Sequence, residues 1–263
     1  MSFLALEHLS HHYFSNKGYT KALDDISFSL KNGEFVSLLG PSGCGKSTIL
    51  SIIAGIIQQT EGKVLLEGAP IDYSKIAIGY MLQQDYLFPW KTIIDNVLLG
   101  PKINKKDTDS LRIDGLKLLE EVGLGHVAEN YPSSLSGGMR QRAALVRTLI
   151  NDPKILLLDE PFSALDYQTK LKLEDVVGKT LKTYHKTTIL VTHDIGEAIA
   201  MSDRILVMNA NPGSIARSFE VPIEIRNATP LESRKHSKYQ ILFDKVWEEL
   251  DKREETEKVT NNE

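Results

Sequence analysis

Residues Gly40-Pro41-Ser42-Gly43-Cys44-Gly45-Lys46-Ser47-Thr48 satisfy the pattern G-x-x-x-x-G-K-[ST]. Each residue type suits the binding of a polyphosphate. Glycines let the backbone bend so that successive N–H groups point inward at phosphate oxygens. A helix beginning at the end of the loop adds the positive end of its dipole. Lys46 supplies a point charge toward the β- and γ-phosphates, Ser47 offers a hydroxyl to Mg²⁺, and Thr48 can hold a phosphate on the α side. The alternative is a chance Gly-rich turn. The context speaks against it, because an apolar run, Glu34–Leu39, precedes the loop and helically spaced isoleucines follow it.

A second cluster lies at Ile155-Leu156-Leu157-Leu158-Asp159-Glu160. Four apolar residues in succession mark a strand buried on both faces, and the two acids that end it point to different sides. Asp159 fits the role of sitting behind Mg²⁺. Glu160 fits the base that polarises an attacking water. Acids often simply end strands, so the pair takes its meaning from following a phosphate loop. A third cluster, Leu135-Ser136-Gly137-Gly138-Met139-Arg140-Gln141-Arg142, puts Ser136 at the N-cap of a helix, with two glycines that allow close approach of an anion. One nucleotide already has its phosphates in the first loop, so a second such helix end suggests a composite pocket.

These groups need a scaffold, and the order of segments describes one. Residues 3–9, 22–30, 63–66 and 76–82 read as strands, with Ile26, Phe28 and Leu30 alternating against Asp25, Ser27 and Ser29. The stretch 11–21 reads as a loop. Residues 46–57 read as a helix on the spacing of Ile49, Ile52, Ile53 and Ile56. From about 92 to 150 the pattern turns helical, with Leu111, Leu118, Leu119 and Val122 on one face and Gly123 as a cap. Strands and helices then alternate through 204–208. Asn211-Pro212-Gly213 is a turn, and Tyr239, Phe243, Val246 and Leu250 form a stripe on a C-terminal amphipathic helix. This is an α/β chain with a helical insertion.

Composition narrows the field. The chain has 263 residues and 29.4 kDa, enough to bury a core without staples. Its net charge of −4 and pI near 6.0 give no support to nucleic-acid binding, so no nucleic-acid partner is expected. Residues 248–263 carry seven acids against three bases, which accounts for the whole imbalance. The single cysteine, Cys44, excludes an internal disulfide and fits a reducing compartment. No apolar run approaches a membrane span, and the N-terminus lacks the features of a signal peptide. Cys44, at a helix N-terminus, is expected to have a lowered pKa and to react with alkylating agents, with bound nucleotide protecting it. His11-His12 read as a solvated pair, having no further metal ligands in spacing.

With these motifs the sequence resembles the nucleotide-binding subunit of ATP-binding cassette (ABC) transporters, over nearly the whole chain to about residue 250. Leu135–Gln141 is similar to the family signature. Gln83 matches the glutamine joining the core to the helical subdomain, Ser163-Ala164-Leu165-Asp166 the D-loop, and His193 the switch histidine. The resemblance implies a P-loop NTPase cassette: a mostly parallel core sheet, an N-terminal antiparallel β subdomain and an inserted helical subdomain at about 92–150. It implies one domain over 1–250, and the acidic tail 251–263 is expected to be disordered. It implies ATP and Mg²⁺ as cofactors, with Ser47, Gln83 and Asp159 around the metal and Glu160, His193 and Gln83 around the reacting water and γ-phosphate. Tyr13 is the aromatic expected to stack on adenine, with Phe14 and Tyr19 as alternatives. It further implies a head-to-tail homodimer. Each ATP would lie between the phosphate loop of one copy and Ser136, Gly137 and Gly138 of the other, and Asp166 would couple the two sites.

Just after Gln83 runs Asp85-Tyr86-Leu87-Phe88-Pro89-Trp90, in which large apolar residues occupy a loop. They either pack inside the helical lobe or form a docking site for a helix of a membrane subunit. Leu87–Trp90, Asp95-Asn96-Val97 and Pro212-Gly213-Ser214-Ile215 resemble the nitrate/sulfonate/bicarbonate (taurine-type) import branch. One departure is that the branch's Pro-Arg element reads Pro222-Ile223-Glu224-Ile225-Arg226 here. On this resemblance the partners are two transmembrane permease subunits and, indirectly, an extracytoplasmic solute-binding protein. The protein would lie peripherally on the cytoplasmic face of the membrane, as an ATPase coupled to solute transport. The alternative is a soluble ABC ATPase without transport, such as an iron–sulfur-cluster assembly component; the docking loop argues against it. A simple phosphate-loop kinase is disfavoured by Ser136–Arg140 and His193.

Overall fold

The computed structural model describes residues 2–15, 18–73, 76–104, 108–163 and 165–260. The chain divides into two compact units, one made of residues 1–74 with 187–263 and the other of residues 75–186.

The first unit opens with β1 (Leu4–Ser15) and β2 (Gly18–Leu30), an antiparallel pair. A bulge near His8, whose φ is +49°, resets the alternation, so Leu4 and Leu6 are buried before it and Leu9 after it. The stretch 11–21, expected as a loop, is instead the paired end of these strands up to Ser15 and from Gly18. Tyr13 faces Thr20 and Phe14 faces Tyr19 across the ladder. Aromatic and β-branched cross-strand pairs favour strand here, and the interleaved polar residues hid it because much of this segment is exposed. β3 (Phe35–Leu39), buried throughout, leads into α1 (Lys46–Ile53). That helix stops earlier than its isoleucines suggested. Gly55 turns at φ +71°, and Ile56 falls past the end, 65 % exposed. β4 (Glu61–Leu66) and β5 (Ala69–Pro70) complete an antiparallel sheet in the order β2-β1-β4-β5.

The second unit holds β6 (Ile78–Met81), α2 (Ile93–Val97), α3 (Leu99–Ile103), α4 (Thr108–Glu121), α5 (Gly137–Leu149), β7 (Ile155–Asp159) and α6 (Tyr167–Thr183). β6 and β7 pair in parallel. Its helical core gathers Ile93, Ile94 and Val97 of α2, Leu118 and Leu119 of α4, and Ala143 and Val146 of α5, with Leu111 packed against them. Gly123 ends the α4 turn at φ +72°, in the capping role its position suggests.

The first unit resumes with β8 (Thr187–Thr192), α7 (Ile195–Met201), β9 (Arg204–Asn209), β10 (Ser214–Glu220), α8 (Ile223–Arg226), α9 (Pro230–Ser233) and α10 (Ser237–Thr260). β3 runs parallel to both β8 and β9, and β10 pairs antiparallel with β9. The stripe on α10 docks as its spacing requires: Tyr239 and Val246, joined by Leu242, are buried with Ile199, Val207 and Val221. Helical backbone continues past residue 250 to Thr260, and residues 261–263 of the acidic tail lie outside the described residues. Among the described residues no helix is long and apolar enough to cross a membrane.

Candidate functional site

In the first unit, β3 ends at Leu39 and the phosphate loop follows at once. Gly43 and Gly45 adopt φ +82° and +90°. A Cβ on Gly45 would also meet the Leu23 side chain at 2.5 Å, so glycine is required there for space as well as torsion. Lys46 is buried, and its Nζ donates to the carbonyls of Gly40 at 2.7 Å and Pro41 at 2.8 Å. The ammonium is thus held at the centre of the loop. Ser47 is exposed at the head of α1, and Thr48 meets the Tyr13 hydroxyl, Oγ1 to Oη, at 3.2 Å. Of the three candidate aromatics, Tyr13 is the one with this contact to the phosphate loop. Phe14 and Tyr19 lie 77 % and 69 % exposed and contact each other and His12 instead. The reading of His11-His12 as a solvated pair fails for His11, which is buried.

The expectation for Cys44 is also overturned. Its side chain is fully buried, and desolvation pushes the thiol pKa up, outweighing the opposing pull of Lys46. A thiol-counting assay on the native protein should therefore find this lone thiol slow to alkylate with or without ATP. Full reaction should appear only in denaturant, and rapid labelling of the folded protein would contradict the burial.

Sequence reasoning missed a contact that holds the backbone of this loop in place. The backbone of Gly213 closes on the loop so tightly that a Cβ there would stand 2.2 Å from the Cys44 carbonyl oxygen. Gly213 is hydrogen-bonded on both sides, its N–H to Ala22 O at 3.0 Å and its carbonyl from Asp24 N–H at 2.8 Å. Its position in a Pro-Gly turn was visible. Its contact, 169 residues along the chain from Cys44, was not.

His193 follows β8 with an exposed side chain, and Asp194 caps α7 by accepting from Glu197 N–H at 3.0 Å. His193 lines a cavity of about 400 Å³ together with Phe243, Trp247 and Leu250.

In the second unit, Asp159 ends β7 half-buried and accepts from the Tyr80 hydroxyl at 3.4 Å. Glu160 follows at φ +45°, a conformation unusual for a residue with a side chain and often found where function demands it. The Gln83 amide donates to Glu160 Oε2 and to Ser163 Oγ, each at 3.3 Å, and Ser163 Oγ donates to the Glu160 carbonyl at 3.0 Å. The structure therefore brings Gln83 and Glu160 together, with Ser163 as their common partner. Gln83 and Asp159 in this unit, and Ser47 in the first, carry amide, carboxylate and hydroxyl oxygens, the kinds of hard ligand that Mg²⁺ takes alongside phosphate.

Ser136 caps α5 as its position predicts, accepting from Met139 N–H at 3.4 Å. A Cβ on Gly138 would lie 2.8 Å from the Thr169 methyl group, so this glycine lets α5 and α6 approach while Gly137 stays open. Asp166 caps α6 by accepting from Thr169 N–H at 3.0 Å, and hydrogen bonds from the Thr169 side chain and then its backbone hold the carboxyl below the ordinary range. Ala164, between Ser163 and Leu165 in the same stretch, lies outside the described residues.

The loop after Gln83 divides its apolar residues. Leu87 is buried in the helical core, Phe88 is half-buried, and Trp90 is 69 % exposed with its ring 5.1 Å from that of Phe88. Buried Asn96 shapes the loop, accepting from Phe88 N–H at 2.7 Å and donating to the carbonyls of Phe88, Lys91 and Thr92. Asp85 fastens the loop to α5. Its carboxylate pairs with Arg140 at 2.9 Å, and Arg147 donates to the carbonyls of Asp85 and Tyr86 at 2.6 and 2.7 Å. Asp85 carried no signal in the sequence beyond its place in a loop.

Comparison with known proteins gives the family. The family model described as "ABC transporter" matches residues 23–163. An uncharacterized ABC transporter ATP-binding protein of Bacillus subtilis, YtlC, is 55 % identical over 258 residues, 98 % of this chain and 99 % of that one. The taurine import ATP-binding protein TauB of Ruegeria pomeroyi is 40 % identical over 223 residues, 84 % of this chain and 83 % of that one. Among solved structures, a dimeric post-hydrolysis state of the ATP-binding cassette MJ0796 bound to ADP and Pi superposes with TM-score 0.70 at 32 % identity. It covers 83 % of this chain and 99 % of that one.

Proposed function

The chain belongs to the ABC transporter family of ATP-hydrolysing cassettes, and from that premise we propose that it energises an importer for a small solute of the nitrate, sulfonate, taurine or bicarbonate type. ATP lies between two copies arranged head to tail. The loop Gly40–Thr48 of one copy cradles the phosphates, with Lys46 turning from its loop carbonyls to the β- and γ-oxygens. Tyr13 stacks on adenine, and Ser136, Gly137 and Gly138 of the second copy face the γ-phosphate with the free N–H groups of the α5 N-terminus. Ser47, Gln83 and Asp159 would hold Mg²⁺, which would supply charge neutralisation for the phosphates when bound. Glu160 takes a proton from the attacking water, the Gln83 amide fixes its carboxylate while Ser163 holds its backbone carbonyl, and His193 contacts the γ-phosphate. ATP favours the closed pair because only that state offers both sets of donors, and loss of the γ-phosphate releases it.

The observation that carries the transport reading is the fastening of the Phe88–Trp90 loop to α5 through Asp85, Arg140 and Arg147. A push on Trp90 from a permease helix reaches the helix whose N-terminus holds the γ-phosphate. The permease subunits keep the protein at the inner face of the membrane, and a solute-binding protein delivers the cargo to them. Co-expression with the cognate permease tests this. Trp90→Ala should abolish co-purification while leaving nucleotide binding within about twofold. Undiminished complex formation would remove the docking role.

A further inference from the structure

Strand β1 turns its side chains alternately to two faces. His11 and Tyr13 share one, and their rings meet edge to face with centroids 4.6 Å apart at 86°. The two residues are differently placed. Tyr13 is 46 % exposed and reaches Thr48 with its hydroxyl, while His11 is 8 % exposed behind it. The Nδ1 of His11 is buried without a hydrogen-bond partner, and burial, then the neighbouring His12, push the ring's pKa down against an opposing hydrogen bond with the Gln58 backbone. A buried nitrogen with no partner contributes nothing to stability that an apolar side chain would not contribute better. What this position does supply is a rigid aromatic edge against Tyr13.

The strand itself does not depend on that ring. Thr60 N–H donates to Ser10 O at 3.0 Å, and Thr60 Oγ1 accepts from His12 N–H at 3.0 Å, so the backbone is sewn to the loop beyond α1 on either side of His11. Among the described residues the Tyr13 side chain has two holds of its own: the hydroxyl contact at Thr48 and the ring contact at His11.

We propose that His11 is a positioning residue for the nucleotide: its ring fixes the tilt of Tyr13 above the Thr48 end of the phosphate loop, so that the base platform and the phosphate cradle stand at a set separation. The inference rests on the reading of Tyr13 as the adenine platform. It explains why a histidine pair that looks solvated in the sequence has one member buried and one not. Removing the aromatic edge frees the Tyr13 ring without moving the strand, so it weakens ATP capture and spares the chemical step.

The test is steady-state ATP hydrolysis by the full-length protein, reading KM and kcat separately. Tyr13→Ala should raise KM about tenfold, within the range of a lost aromatic stack. His11→Leu and His11→Met, two non-aromatic side chains of suitable volume, should each raise KM about fivefold with kcat within twofold of wild type. His11→Phe, which keeps the ring, should stay within twofold in both. Combined with Tyr13→Ala, His11→Leu should add no further rise. An unchanged KM in Tyr13→Ala would remove the platform reading itself. A raised KM in Tyr13→Ala would leave that reading standing, and the inference alone would then be overturned by an unchanged KM in the non-aromatic variants, by His11→Phe behaving as His11→Leu does, or by effects that multiply in the double variant.

Discussion

Glu160→Gln should hydrolyse ATP at least about 100-fold more slowly than the wild type while binding ATP with unchanged affinity. The substitution keeps size and shape, so the φ of +45° at this position is no harder to hold. The Ser163 hydroxyl bonds the backbone carbonyl and not the carboxylate, so that anchor survives. The Gln83 amide, 3.3 Å from Oε2, still finds an oxygen there. What disappears is the basic site that takes the proton from water. Single-turnover hydrolysis separates this from binding, and a rate near wild type would show that another group acts as the base.

Lys46→Ala should fail at the earlier step, with ATP affinity falling about 10- to 100-fold, the worth of hydrogen bonds to a charged group. Lys46 is the cation that the loop itself holds in place, through two carbonyls at 2.7 and 2.8 Å. Its burial means the charge is already largely desolvated before phosphate arrives, so less is lost on binding. The same two carbonyls lose a donor in the variant, so a thermal melt without nucleotide should accompany the binding isotherm. A stable fold with weakened binding assigns the loss to the phosphate contact, and affinity within twofold of wild type would contradict the role given to this residue.

What could be read in the sequence was local. The phosphate loop, the strand ending in Asp159-Glu160 and the cap Ser136 are each set by a few consecutive residues, and each is placed as its pattern predicts. What was not legible came from residues far apart in the chain. Cys44 looked reactive by position, yet its side chain is fully buried with its sulfur packed close to Gly40, while Gly213 closes on its backbone. The strand character of 11–21 lay in cross-strand pairs, which a one-dimensional pattern does not display. Ile56 fitted a helical spacing that the backbone abandons at Gly55. The docking loop offered two readings, and the structure divides them by residue, burying Leu87 and exposing Trp90, because Asn96 folds the segment between them into fixed turns. Asp85, the link from that loop to α5, shows its importance only through partners 55 and 62 residues away.

The central claim is that ATP joins two copies of this chain. Light scattering on the Glu160→Gln protein, with and without Mg-ATP, tests it most directly. The account predicts a mass near 29.4 kDa without nucleotide and roughly twice that with ATP, reverting when Ser136 at the α5 N-terminus is replaced by a bulky side chain. A mass that stays at one chain under saturating ATP would contradict it.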